Sequence, residues 1–152
     1  MGLKSLLIVI GGAVGTGLRA WLETTWPSQP GGWPWATFVI NITGAFLLGL
    51  LLETMTRRGP DTGVRQLLRL GLGTGLLGGY TTYSTFSVET VALLRVGAVP
   101  AGIGYALASV LLGLLAALAG AALAGWPTRL APFGGGLMML GWLLHAIGQW
   151  RR

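Results

Sequence analysis

Cysteine is absent from the 152 residues, which excludes disulfides, thiolate metal sites and thiol nucleophiles. One histidine, His145, and four carboxylates, Glu23, Glu53, Asp61 and Glu89, lie far apart in sequence. They supply a hydrolytic or zinc centre poorly, and no catalytic residue is expected. Charge is scarce altogether, at 9% of residues, where a soluble domain carries about a quarter. Apolar residues are abundant, at 53%, with 27 Gly and 7 Trp, and the mean hydropathy is +0.70. The net charge of +6 could suggest a nucleic-acid partner. The ten cations, however, are dispersed or flank apolar runs and form no single basic face, so none is expected. The composition is that of an integral membrane protein in a lipid bilayer.

A spanning helix needs about 20 mostly apolar residues. Residues 5–18, 24–52, 70–88, 96–128 and 130–150 contain no Asp, Glu, Lys or Arg. These runs predict four spans, near 3–23, 35–55, 66–95 and 100–124, in a transmembrane domain over residues 1–125. The turn-rich run from Trp26 to Gly32 separates the first two, and Gly125-Trp126-Pro127 ends the fourth. Trp26, Trp33, Trp35 and Trp126 fall near helix ends, where amphipathic rings settle at the headgroup level. The start resembles a signal peptide, but its small-residue zone is Gly-rich instead of Ala-x-Ala-like, and uncleaved insertion is expected. The tail, 126–152, reads as an interfacial helix or as a fifth span. In a four-span arrangement six Lys or Arg fall on the N-terminal side and two on the other, before the terminal Arg pair is placed; this favours both termini inside. Gly11/Gly15, Gly71/Gly75/Gly79 and Ala116/Gly120/Ala124 offer surfaces for close helix packing. Four short helices enclose little, so an oligomer is expected.

Polar groups inside spans are costly and mark sites. The strongest case runs from Gly73 to Ser87, glycines followed by Tyr80-Thr81-Thr82-Tyr83-Ser84-Thr85-Phe86-Ser87. Such a run does little to keep a helix going and predicts an all-α bundle whose third helix is broken. Broken backbone at membrane depth must be buried or line a wet cavity, and its carbonyls can hold a cation. A Gly/Thr packing seam is the alternative. Gly73-x-Gly75-x-x-Gly78 matches a dinucleotide fingerprint, but without the strand–helix–strand context that motif requires. Thr37 and Asn41 share a face of helix 2, and Tyr105 and Ser109 share a face of helix 4. For Asn41, interhelical bonding competes with a ligand role; for Arg19 and Glu89, an ion pair or helix-end cap is expected over substrate contact. Amide and hydroxyl donors, with electropositive ring edges at Tyr83 and Phe86, suit a small anion.

Together these segments resemble the CrcB/Fluc family of fluoride channels. The matching pieces are Gly11 to Arg19, Thr37 to Phe46, and Gly78 to Ser87 with Glu89, and the resemblance covers about residues 3–125. It implies a passive, fluoride-selective channel in a prokaryotic plasma or inner membrane, built as an antiparallel, dual-topology homodimer. It further implies that Asn41, Tyr83 and Phe86 coordinate fluoride, and that Thr37, Tyr105, Ser109 and Ser84 continue the pathway. Arg19 would lie near the entrance, and backbone carbonyls of Gly78 and Thr81 from both subunits would hold a central Na⁺. Tyr83 stands where the family usually has Phe, and Gly113 where a Ser often extends the track. Fluoride is strongly hydrated, so a dry pore must supply replacement donors. The competing reading is a proton-coupled cation exporter similar to the small multidrug transporters. That chemistry needs a membrane-embedded carboxylate, which Glu23 at a helix end and Glu89 after the break supply poorly.

Overall fold

The computed structural model describes residues 2–125, so the expectations for the 126–152 tail lie outside the described residues. Every regular element among them is helical. Among the described residues three helices are long and apolar enough to cross a bilayer: α1 (Leu3–Thr25), α2 (Trp35–Arg57) and α6 (Val99–Leu123). At about 1.5 Å per residue, the 23 residues of α2 rise roughly 34 Å, a little over the hydrocarbon thickness.

The stretch between α2 and α6 is composite. It begins as α3 (Gly63–Leu68), widens into a π-helical segment (Arg69–Leu77) and returns to α geometry in α4 (Gly78–Tyr80). Thr81 and Thr82 are extended, with φ, ψ of −79°, 155° and −149°, 117°. Helix α5 (Tyr83–Arg95) follows, and Thr82 caps it by accepting the Thr85 N–H at 3.2 Å. A π segment is an uncommon geometry that recurs at functional sites.

Glycines set how closely these elements approach. A Cβ on Gly15 would collide with the backbone of Leu76 and Tyr80, and one on Gly11 with that of Gly71 and Leu76. Helix α1 therefore lies backbone to backbone on the π segment and α4. Gly49 and Gly120 bring α2 and α6 together in the same way, against Ala117 and Phe46. Gly44 leaves room on α2 for the Thr81 side chain. The fully buried centre is small, formed by Ile40, Thr37 and Tyr105. Large apolar side chains such as Val9, Val14, Leu107, Leu111 and Leu114 point outward, as the bilayer requires.

Candidate functional site

The residues singled out in α2, α5 and α6 meet around Thr82. The Asn41 side chain bonds its backbone twice: Nδ2–H donates to Thr82 O at 3.0 Å, and Oδ1 accepts Thr82 N–H at 2.8 Å. One amide orientation alone satisfies both, which leaves a second Nδ2 hydrogen for another acceptor. In a continuing helix the Thr82 N–H would bond Gly78 O, and the Thr85 N–H would bond Thr81 O. Those donors go to Asn41 and to Thr82 Oγ1 instead, so the carbonyls of Gly78 and Thr81 are both deprived of their helical partners. Backbone carbonyl oxygens without a helical partner are the kind of donor that a hard cation takes, and in that respect these two fit Na⁺.

Beside this junction lies a cavity of about 260 Å³, lined by Asn41, Thr81, Thr82, Tyr83, Phe86, Ser109 and Val110. Ser109 Oγ is buried and has no hydrogen-bond partner among the described residues, so a hydroxyl donor is left over at its wall. The rings of Tyr83 and Phe86 are 5.7 Å apart, and Phe86 in turn lies 5.4 Å from Tyr105. Tyr83 is 79% exposed on the single chain. Ser84 does not line the cavity; its hydroxyl sits 3.2 Å from Thr82 Oγ1 in the capping cluster. Arg19 is not in that lining either, and its Nε is buried without a partner among the described residues.

Tyr105 leads to Glu89. The Tyr105 hydroxyl donates to Glu89 Oε2 at 2.8 Å, and the Thr37 hydroxyl donates to Glu89 Oε1 at 2.9 Å. Glu89 thus meets two hydroxyls, where an ion pair or a helix-end cap was the expectation. It lies midway along α5, where no Lys or Arg among the described residues reaches it. A second cavity, of about 310 Å³, is roofed by the α1–α2 loop at Ser28, Gln29, Gly31 and Gly32 and also touches Glu89. Trp33 from the same loop stacks edge-on against Tyr105 and Phe38, with ring centroids 5.5 and 5.6 Å apart. Polar groups therefore follow one another from the loop cavity, through Glu89 and its two hydroxyls, past Phe86, to Ser109 and Asn41. Glu89 is the member of this series that residue spacing did not single out as a partner of Thr37 and Tyr105.

The family described as CrcB-like protein, Camphor Resistance (CrcB), matches residues 6–121. The chain belongs to the CrcB family. Among its relatives, a protein of Leifsonia xyli is 49% identical over 80% of this chain and 83% of its own length. One of Cutibacterium acnes is 48% identical over 73% and 78% respectively, and one of Rhizobium meliloti 44% over 78% and 93%. Each of the three is named a fluoride-specific ion channel. Family membership and three apolar helices of spanning length make the chain a multi-pass membrane protein. Nothing in these likenesses favours the cation-exporter reading.

Proposed function

We propose that this CrcB-family chain is a passive, fluoride-selective channel that lets cytoplasmic fluoride leave down its electrochemical gradient. The observation that carries the proposal is the 44–49% identity, over most of the chain, to relatives named fluoride-specific ion channels. The chemistry of the Asn41–Ser109 cavity supports it. A dehydrated fluoride needs donors, and the spare Asn41 N–H, the unpartnered Ser109 hydroxyl and the ring edges of Tyr83 and Phe86 supply them. Thr37 and Tyr105 lengthen the route, with the Glu89 carboxylate holding their hydroxyls in the absence of a passing anion. Fluoride and Glu89 compete for the same two donors. Ser84 supports the cap at Thr82, and Arg19 adds positive charge that attracts anions towards the mouth.

In this reading α3, the π segment, α4 and α5 make up one span, interrupted at Thr81 and Thr82, which brings the bundle to four. The functional unit is an antiparallel dual-topology homodimer. The outward-facing Tyr83 ring and the pair of freed carbonyls per chain, Gly78 and Thr81, favour a two-fold partner that completes both the pore wall and a central Na⁺ site. A sodium ion held there would supply positive charge that offsets repulsion between anions nearby.

The test is fluoride efflux, read with a fluoride electrode, from liposomes holding the pure protein. Rapid fluoride release without comparable chloride release is expected, once a potassium ionophore dissipates the diffusion potential. Proton-coupled cation uptake without fluoride release would reject the channel in favour of an exporter.

A further inference from the structure

Carboxylates are scarce enough here to be assigned one by one. Glu23 lies in the last turn of α1 and Glu89 beneath the α1–α2 loop, both towards the end of the bundle that carries this loop. At the opposite end, Glu53 holds Arg57 at 2.8 Å and Asp61 holds Arg69 at 2.8 Å. The sequence has no other Asp or Glu. Arg58 and Arg65, at the same end, are left with no side-chain carboxylate to answer them.

Backbone geometry brings the Arg65 guanidinium to the stretch of chain that carries Arg58. Gly59, with φ of +114°, turns the chain out of α2 in a conformation that L side chains rarely adopt. The Arg65 guanidinium lies against that glycine: a Cβ there would sit 2.8 Å from Nη1 and 3.4 Å from Nη2. Arg58 is the residue immediately before it. Arg57 faces away towards the end of α6, its Cζ 3.7 Å from where a Cβ on Gly125 would stand. The Arg65 guanidinium thus rests on the backbone that carries Arg58, and with no carboxylate to take them the two residues offer a phosphate two sets of N–H donors.

Depth and neighbours identify the anion. With Trp35 at one interface, the roughly 34 Å rise of α2 puts Arg58, Gly59 and Arg65 at the level of the opposite headgroups. Next to Arg65 on α3, Val64 and Leu68 form an apolar strip one turn apart, 71% and 43% exposed. A paired cation beside an apolar strip matches a phosphate joined to an acyl chain. We propose that Arg58 and Arg65 bind the phosphate of an anionic glycerophospholipid, with Val64 and Leu68 against its chain. This proposal rests on the membrane topology of α2 and not on the identity of the permeating ion.

The test uses the purified full-length protein in an uncharged detergent, following thermal unfolding as phosphatidylglycerol, phosphatidylcholine of the same chains, or inorganic phosphate is added. Phosphatidylglycerol is expected to raise the midpoint, and the other two to leave it unchanged. Arg58→Gln and Arg65→Gln should each raise the half-effective phosphatidylglycerol concentration by about fivefold, and the double variant by more than tenfold. Arg95→Gln, at the other end, should leave it unchanged. If the double variant does not fold, the two single variants decide the matter. Equal responses to the two lipids, unchanged responses in both single variants, or inorganic phosphate reproducing the lipid effect would each overturn the proposal.

Discussion

Asn41 and Thr82 are joined by two hydrogen bonds, so that a side chain on α2 takes the place of the helical partners that the Thr82 backbone lacks. The pairing ties the extended residues between α4 and α5 to a helix 41 positions earlier. Asn41→Leu should leave both polar groups of Thr82 unpaired in a part-buried setting, at about 1–3 kcal/mol each. The variant should show a lowered thermal midpoint and lose fluoride efflux almost completely. Asn41→Asp keeps an acceptor for the Thr82 N–H while losing the donor, so its midpoint should fall between wild type and Asn41→Leu. Wild-type flux from a folded Asn41→Leu protein would remove Asn41 from the pathway.

Thr37 and Tyr105 share one carboxylate, which makes their contributions interdependent. Thr37→Val and Tyr105→Phe should each destabilise the fold by about 1–3 kcal/mol. Their combination should depart from additivity by about 0.5 kcal/mol or more, because each variant changes what Glu89 can do for the other. Unfolding midpoints of the four proteins in the cycle supply the measurement, and strict additivity would argue against the shared carboxylate.

Tyr83 exposes most of its surface, and its hydroxyl makes no hydrogen bond within the described residues. Tyr83→Phe should therefore leave selectivity against chloride intact and change flux only modestly, since the electropositive ring edge survives. Tyr83→Ile keeps bulk but removes the ring, and should impair flux more. A Tyr83→Ile channel that conducts like wild type would make this side chain mere packing. A loss of flux of about tenfold or more in Tyr83→Phe would instead make the hydroxyl a fluoride ligand.

How much of this was legible in the sequence differs from one residue to the next. The charge-poor stretches of α1, α2 and α6 announce helices of spanning length because lipid admits few polar groups. The spacing of Thr37 and Asn41 put them on one face, and in the structure both bond to residues of the 82–89 stretch. The π segment was not legible: glycines at 71, 73 and 75 permit the wider turn, but local propensity does not separate it from an ordinary helix. Nor was the fate of Glu89, whose partners lie 52 and 16 positions away and meet it only through the packing of three helices. Ser84 carries the same hydroxyl as Ser109, but the backbone turn at Thr82 draws it into the capping cluster while Ser109, on α6, lines the cavity.

Topology offers a test in a chain with no native cysteine. Thr62→Cys, in the exposed turn between α2 and α3, should react with a membrane-impermeant maleimide from both faces of intact membranes if the dimer has dual topology. Labelling from one face alone would mean that the charge bias imposes a single orientation.

Two neighbouring glycines on α1 should respond oppositely to the same substitution. A Cβ on Gly12 would find its nearest neighbour at 3.9 Å, whereas one on Gly15 would strike the Leu76 carbonyl and crowd the Tyr80 N–H. Gly12→Ala should be neutral or gain up to about 1 kcal/mol from helix propensity. Gly15→Ala should lose at least about 1–3 kcal/mol through overpacking. Thermal midpoints in one detergent check both, and equal midpoints would mean that α1 does not seat on the π segment as described.

The seam between α1 and the π segment has a consequence for how this protein can change over generations. Where side chains meet, a substitution on one helix can be answered by a smaller or reoriented neighbour. At Gly11 and Gly15 the opposing surface is main chain, which has no rotamers to adjust and no smaller alternative to offer. Variation should therefore collect on the outward faces of α1 and α6, while the seam stays nearly fixed. Across it, α1 and the π segment should move as one solid piece, so any conformational change in conduction must be carried by α2, α5 and α6 around them.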